Sequence, residues 1–401
     1  MDAFLILTRQ PRLRELADWL GENAASCVVV TRKTSAGAAE LDALFRHVEY
    51  LPSYDDDAAG RLIADLALRF RVQRIASLNE VDVLRAAAVR ELLGLPGQDM
   101  ACAIAFRDKY VMKSLASAAG IGVAGMRRLP ASLEPGGPEA AALTYPAVVK
   151  PVAGGGSVGV RLLKSADDWD SLAAARGPLL LEDWIDEAAF FIVDGLMLDG
   201  HVQQRVILRM LSGNLSYLTQ HMPVAGCSLA ESSELSERIT EFASRVLSAL
   251  PPVSVETAFH LELFQDHRGE LVLCEVASRP GGMGHPYTFA AVTGIDLAAA
   301  SLLGQLGLTD ARPSPVRRLR EAAFVYYPKR AGTLVRHPER LEHPNVAFFS
   351  AMARSGDTVE RAGWVGDSVA KIHVAAPVGD DIGQLMAAVI KDYESGTEWA
   401  N

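Results

Sequence analysis

The first hundred residues alternate short apolar runs with longer helical stretches. Ala3–Leu7, Cys27–Thr31, Val48–Leu51 and Arg74–Leu78 read as strands, and Ala/Leu/Arg-rich stretches such as Asp82–Leu93 read as the helices between them. Strand and helix in alternation argue for a small parallel sheet. The first strand runs into Thr8-Arg9-Gln10-Pro11, where a dinucleotide-binding layer would carry its glycine fingerprint. This is a Rossmann-like layer without that site. A boundary falls near Leu95-Pro96-Gly97. After it, Arg107–Gly120 reads as an amphipathic helix closed by glycine, and the turn-rich Glu134-Pro135-Gly136-Gly137-Pro138 leads to a strand, Tyr145–Pro151. Strands and helices continue to about Leu308. A second boundary is expected at Ala311–Pro315, followed by strands (Ala322–Tyr327, Ser368–Val374) and a final helix from Asp380. No internal repeat or low-complexity tract is found. The fold class is α/β, α+β in its later parts, in units of residues 1–100, 101–310 and 311–401.

Composition narrows the function. At 401 residues, and with about 150 residues per domain as a prior, two to four domains are expected. Hydrophobic residues make up 49% and charged ones 22%, which suits packed cores rather than disorder. Lys and Arg total 39 against 49 Asp and Glu, a net charge of −10. Without a basic stripe to displace counterions, dedicated nucleic-acid binding is excluded as the main role. Cys27, Cys102, Cys227 and Cys274 are scattered, so neither a zinc knuckle nor a disulfide framework is indicated, and reduced thiols in a cytoplasm are the simplest expectation. The run at the N-terminus lacks a basic flank and is too short for a signal peptide or a membrane span. A soluble cytoplasmic protein with no membrane partner is expected.

Two constellations carry chemistry. Lys150 precedes Gly154-Gly155-Gly156-Ser157-Val158-Gly159, and glycines let backbone N–H groups wrap an oxyanion beside a lysine's point charge. A plain hairpin turn is the alternative, and no Gly-Lys-Ser/Thr closes the stretch as in a Walker A loop. The second constellation is a hairpin about Asp266-His267-Arg268-Gly269. With an even-length turn, residue 262 falls opposite 273 and 260 opposite 275, so that His260, Glu262, Phe264, Leu273, Glu275, Ala277 and Arg279 share a face. Glu262 and Glu275 are then diagonal neighbours. Carboxylates about 5 Å apart repel by roughly 3 kcal/mol at an effective dielectric near 20, and a divalent cation such as Mg²⁺ reverses that sign. The alternative is a solvated Glu262 and a Glu275 paired with Arg279. Arg279-Pro280-Gly281-Gly282 follows, with an arginine fork suited to a carboxylate or a phosphoryl group, or simply capping a loop.

In this order the segments resemble the ATP-grasp superfamily, from about Asp108 to Leu308. Arg107-Asp108-Lys109 resembles its first-lysine segment, Tyr145–Pro151 its second-lysine strand, and the glycines after it the mobile loop over the phosphates. Leu181-Glu182-Asp183-Trp184-Ile185 resembles the hinge that holds adenine, near 182–186. Glu262 and Glu275, 13 positions apart, match its paired Mg²⁺ ligands, and Gly281-Gly282 through Gly294-Ile295-Asp296-Leu297 also fits. The resemblance implies an ATP-grasp fold with an N-terminal Rossmann-like domain and a C-terminal β-rich module. It implies ATP and Mg²⁺ as cofactors, with Lys109, Lys150, Gly155, Gly156 and Ser157 at the phosphates and Glu182, Asp183, Trp184 and Ile185 at the base. Glu262 and Glu275 would hold metal, and Arg279 would hold the acceptor carboxylate. Phe264 would line the adenine slot or else the core. Two positions depart from the pattern. Ala189 stands where the family has a ribose-binding glutamate, with Glu187 a substitute only if a bulge intervenes, and Ala277 stands where many members have a metal-binding asparagine.

His260-Leu261-Glu262 is similar to the His-x-Glu of L-amino-acid ligases and carnosine-synthase-like enzymes. That likeness gives His260 a role in positioning the amino-acid substrate or accepting a proton from its amine. Ala331-Gly332-Thr333, Ser355-Gly356-Asp357-Thr358-Val359 and Gly366-Asp367-Ser368-Val369 resemble the C-terminal module of the same subgroup, although Gly-Asp pairs are ordinary turn chemistry. His221, His285 and Arg205 are weaker candidates. The implied reaction joins an amino acid to another amino acid or amine through an acyl phosphate, releasing ADP and phosphate. The competing readings are a biotin-carboxylase-like carboxylase and an ATP-grasp relic that binds nucleotide without ligating. The partners implied are small carboxylates and amines, with a homodimer as the oligomeric state common among relatives.

Overall fold

The computed structural model describes residues 3–33, 39–54, 58–129, 144–172, 177–212, 217, 220–309, 317–364 and 366–400; Glu134–Pro138 and Ala311–Pro315 lie outside them. The opening apolar runs form strands β1 (Ala3–Thr8), β2 (Cys27–Arg32), β3 (His47–Leu51) and β4 (Val72–Ser77). They pair in parallel in the order β3-β2-β1-β4. Helices α1 (Leu13–Leu20), α2 (Ala39–Asp42) and α3 (Ala58–Phe70) connect them. Val28, Val29 and Val30 are all buried, since a parallel strand covered on both faces needs no polar alternation. Helix α4 (Asp82–Leu93) ends on Gly94, whose φ of +64° makes the left-handed cap. Helices α5 (Met100–Ala105) and α6 (Lys109–Ala118) follow. Asp108 caps α6 by accepting from the N–H groups of Tyr110 and Val111, so the helix starts at Lys109 rather than Arg107. Lys109 and Lys113 thereby stand one turn apart on its buried face.

A small antiparallel sheet comes next, built of β5 (Met126–Leu129), β6 (Ala147–Pro151), β7 (Arg161–Leu163) and β8 (Leu179–Asp183) in the order β5-β8-β6-β7. The rest of the chain supplies β9 (Glu187–Leu198), β10 (His201–Met210), β11 (Val224–Ser228) and α7 (Glu234–Ala249). After these come β12 (Thr257–Asp266), β13 (Leu271–Ala277), α8 (His285–Thr293) and α9 (Leu297–Leu306). Strands β14 (Glu321–Pro328), β15 (Gly332–Arg336), β16 (Val346–Ala351), β17 (Thr358–Val359) and β18 (Ser368–Ala376) precede α10 (Ile382–Ser395) and β19 (Glu398–Ala400). Eight of these strands form one sheet, β13-β12-β9-β10-β11-β14-β18-β16, while β17-β15-β19 pair separately. The large sheet therefore runs through strands from both sides of residue 311.

Two helices fix the parts to one another. Ile239, Phe242 and Val246 of α7 pack with Met112 of α6 against Phe259, Leu261 and Val276 of the large sheet. Leu302 and Leu306 of α9 enter the core of the parallel sheet beside Ile6 and Val29. The Gln305 side chain meanwhile donates to the Ser77 carbonyl at 3.1 Å and accepts from its N–H at 3.0 Å. The carboxyl end of β4 is thus held against the large sheet. No single helix among the described residues is long and apolar enough to cross a membrane, and the four cysteines are free thiols.

The hairpin register differs from the expected one. Gln265 pairs with Leu271, Phe264 with Val272 and Leu263 with Leu273; a bulge then makes Glu262 face Glu275 and His260 face Ala277. The turn holds three residues, not an even number, with Gly269 at φ +85°, the geometry in which a type I turn ends on a left-handed residue. That odd loop alone would send Glu275 to the core face. The extra residue Cys274 restores the parity. Glu262 and Glu275 are therefore directly opposite rather than diagonal, and Leu273, expected beside them, is fully buried in the core with Leu261 and Leu263.

Candidate active site

Between the small sheet and the β12–β13 hairpin lies a cavity of about 370 Å³, within the range of small-molecule sites. Its walls bring together Lys109 and Lys150, the loop residues Gly155, Gly156 and Ser157, and the crossing from Glu182 through Asp183 and Trp184 to Ile185. Glu262, Glu275 and Phe264 form the floor. Phe264 is half-buried and meets Phe190 with ring centroids 5.1 Å apart, so it belongs to the cavity and not to the interior core. His260 and Arg279 lie just beyond this wall.

The lysines are organised around carboxylates. In the small sheet Val148 pairs with Glu182, which puts Lys150 of β6 on the same face as that glutamate. Lys150 Nζ lies 2.7 Å from Glu182, and Lys113 Nζ reaches the other oxygen. Lys113 is 1% exposed. Burial works against the Glu182 charge, but the two ammonium groups outweigh it and hold the carboxyl below its ordinary value. Lys113 is pulled downward, first by burial and then by Lys150.

On the floor, Lys109 Nζ sits 2.8 Å from Glu275 and 2.7 Å from the Gly154 carbonyl that accepts from it. Burial opposes the Glu275 charge, yet Lys109 and Lys150 keep its carboxyl well below the usual range. Glu275 thus pairs with Lys109; the alternative pairing with Arg279 is not formed. The Cys274 thiol, which also lines the cavity, is pushed up to about 12 by burial and stands there neutral. Ala277, on the same strand, offers no side-chain ligand.

Arg279 instead donates from Nε to Glu80 at 2.5 Å and from Nη1 to the Pro280 carbonyl at 2.9 Å. Glu80 also pairs with Arg107, which in turn donates to the Ala153 carbonyl at 2.6 Å at the start of the glycine loop. Despite burial, Arg279 and Arg107 draw the Glu80 carboxyl downward. Sequence reasoning missed Glu80. Its signal was its place just past the strand Arg74–Leu78, since open parallel sheets present functional residues at the carboxyl ends of strands. Lys113, also missed, was signalled by its spacing of four from Lys109.

Behind Glu262 stands a third group. Asp194 of β9 lies opposite His260 in the sheet. Its Oδ1 is 2.7 Å from His260 Nδ1, its Oδ2 is 3.1 Å from His285 Nδ1, and His260 Nε2 is 3.3 Å from Glu262. Burial disfavours the imidazolium, but Asp194 outweighs it and brings His260 up to about 9. His285 is therefore an internal partner of Asp194, not an exposed pocket residue. Asp194 was signalled by a lone acid inside Phe190–Met197. Arg205 lies 3.5 Å from Glu231, and His221 has a left-handed backbone at φ +57°.

At the far end of the cavity, β9 is paired to β12 with Gln265 opposite Ala189 and Asp266 opposite Glu187. The bulge skips Ala188, and Glu187 lines the cavity together with Ala189.

No family model matches the chain. In sequence it is 26% identical over 234 residues to the L-arginine-specific L-amino acid ligase of Bacillus subtilis, a match covering 52% of each chain. The match thus spans about half the length of that curated relative. In structure it is similar to an L-amino acid ligase from Bacillus licheniformis, with a TM-score of 0.74 at 19% identity over 100% of this chain and 99% of that one. It is also similar to carboxyaminoimidazole ribonucleotide synthase from Aspergillus clavatus complexed with ATP (TM-score 0.71, 16% identity, 98% and 99% covered). A third neighbour is the biotin carboxylase domain of Hydrogenobacter thermophilus 2-oxoglutarate carboxylase (TM-score 0.67, 17% identity, 99% and 92% covered). The chain therefore has the ATP-grasp fold, and an L-amino acid ligase is among its relatives in sequence.

Proposed function

We propose that the protein is an ATP-dependent carboxylate–amine ligase that joins an amino acid to a second amino acid or amine. The observation that carries this reading is one cavity walled by Lys109, Lys150 and the glycine loop, with Glu262 and Glu275 face to face beneath them. Directly opposed carboxylates fit a divalent cation, which would add to the positive charge that Lys109, Lys150 and Arg279 already set against Glu275. Glu262 and Glu275 would hold Mg²⁺, which when bound neutralises charge on the β- and γ-phosphates.

The chain's own residues would then act as follows. Lys109, Lys150 and the backbone N–H groups of Gly155–Ser157 hold the phosphates. The hinge backbone after Glu182 reads the base beside Phe264, and Glu187, brought in by the bulge at Ala188, takes the ribose. Arg279, its Nε and Nη1 engaged, turns its remaining Nη2 to the acceptor carboxylate. A carboxylate oxygen attacks the γ-phosphorus and ADP leaves; the amine then attacks the acyl carbon, losing a proton as phosphate leaves. Closure of residues 154–159 would keep water from the acyl phosphate. His260, its two ring nitrogens engaged by Asp194 and Glu262, would position the amino-acid substrate rather than take a proton.

The test is nucleotide analysis with Mg-ATP and single amino acids and pairs, followed by mass spectrometry. ADP formed only with particular amino acids, beside a product of their summed mass less water, is expected. Glu275→Gln should lower that turnover by about 10²-fold or more, as expected for loss of charge stabilisation in the transition state. Formation of AMP, or ATP bound without substrate-dependent ADP release, would overturn the reading.

A further inference from the structure

The geometry points to Asp194 as a positioning residue: its buried carboxylate holds His260 against Glu262 and, through His285, anchors the loop that carries Arg279. The inference rests on the ligase reading above and deepens it. Asp194 is 0% exposed in the middle of the apolar run Phe190–Met197. A carboxylate in such a place is costly unless partnered. Its partners are the two imidazoles, one on each oxygen. The contact to His260 is a hydrogen bond of 2.7 Å, and the 3.1 Å contact to His285 is bent out of hydrogen-bond alignment. Because Nδ1 of His260 is held from behind, its Nε2 is aimed at Glu262, 3.3 Å away on the cavity floor.

The loop side shows the same dependence. His285 is the first residue of α8, so the segment from Arg279 to Gly284 is tied at one end by Glu80 on Arg279 and at the other by Asp194 on His285. Gly281 rests on the cluster. A Cβ there would lie 2.7 Å from Asp194 Oδ1, 2.8 Å from His260 Nδ1 and 2.9 Å from the His285 Cβ. The three side chains are close enough together to suggest a metal, but the spacing favours a hydrogen-bonded cluster. Ligands of one tetrahedral ion at about 2.0 Å stand about 3.3 Å apart, whereas Asp194 and His260 meet at 2.7 Å.

The experiment compares wild type, Asp194→Asn and Gly281→Ala in the full chain. The readouts are Mg-ATP affinity by calorimetry, kcat and KM for amino-acid-dependent ADP release, and imidazole ¹⁵N spectra assigned with His260→Gln, with and without MgADP. Expected is a fall in kcat of about 10–100-fold, the usual cost of losing a group that orients a metal-site residue, with KM for ATP and Mg-ATP affinity within about threefold. The His260 signal should respond to MgADP in wild type and lose that response in Asp194→Asn. Gly281→Ala, which pushes on the cluster from the loop, should show the same split and stands in if Asp194→Asn fails to fold. An unchanged kcat would overturn the inference, as would parallel loss of ATP affinity and kcat, which marks a merely structural role. One equivalent of bound transition metal in wild type, absent from Asp194→Asn, would replace it with a metal site. If wild type forms no ADP with any amino acid, the ligase reading fails by itself. The His260 response to MgADP then decides, its dependence on Asp194 supporting the positioning role and its absence in wild type overturning it.

Discussion

Lys113 shows how closely charge is balanced at single residues. It is 1% exposed, and with Lys150 it shares Glu182. Removing one member of a buried pair leaves its partner's desolvation uncompensated, at about 3–5 kcal/mol. Lys113→Met is therefore expected to lower unfolding free energy by that order in urea titrations, while the double variant Lys113→Met/Glu182→Gln should recover part of it. Were the single variant as stable as wild type, Lys150 alone would suffice for Glu182. The types of residue at the site were legible from the chain, since Lys109, Lys150, Glu262, Glu275 and Arg279 each stand in a recognisable segment. Their pairing was not. Glu80 and Arg279 are 199 positions apart, and no local pattern specifies which of several carboxylates an arginine will meet.

Among elements, α9 shows how a helix far from the chemistry can set it. It is capped by Asp296, which accepts from the N–H groups of Ala298 and Ala299, and it packs so tightly that a Cβ on Gly304 would lie 2.3 Å from the Glu256 carbonyl. Gly304→Ala must push α9 away from the large sheet, and overpacking of this kind costs about 1–3 kcal/mol. A lower denaturation midpoint at unchanged m-value is expected. Because α9 also holds Ser77 through Gln305, the same variant should displace Glu80 and lower turnover more than nucleotide affinity. Equal turnover in the two proteins would show that Glu80 is placed independently of α9. The strands of the parallel sheet and α4 were readable because a short continuous apolar run, or an Ala/Leu/Arg-rich stretch ending in glycine, leaves a local signature. The hairpin register was not, because a three-residue turn and a one-residue bulge each flip the face and only together restore it.

Across the whole molecule, the buried carboxylates set the response to acid. Glu80, Glu182 and Glu275 all have folded pKa values below the ordinary 4.5. Each therefore contributes stability that is complete above pH 4.5 and is lost as pH falls through the lower folded values. Asp82 acts in the opposite sense. Burial raises it to about 6 from 3.8, so its contribution is complete below 3.8 and fades as pH rises through about 6. Thermal scans in the absence of nucleotide should show Tm falling as pH drops below about 4.5, with a shallower fall in Glu80→Gln. An identical slope in that variant would mean Glu80 is not a principal acid-sensitive tie. By itself the sequence determined which segments become strand or helix and which chemistries are present, because both follow from local periodicity and residue type. Only the tertiary structure decided that Glu262 faces Glu275, that a bulge brings Glu187 to the cavity, and that Glu80 and Asp194 stand behind Arg279 and His260. Those placements depend on strand register and helix packing between segments far apart in the chain, where the deciding energy is the burial and pairing of groups that no local stretch of sequence contains.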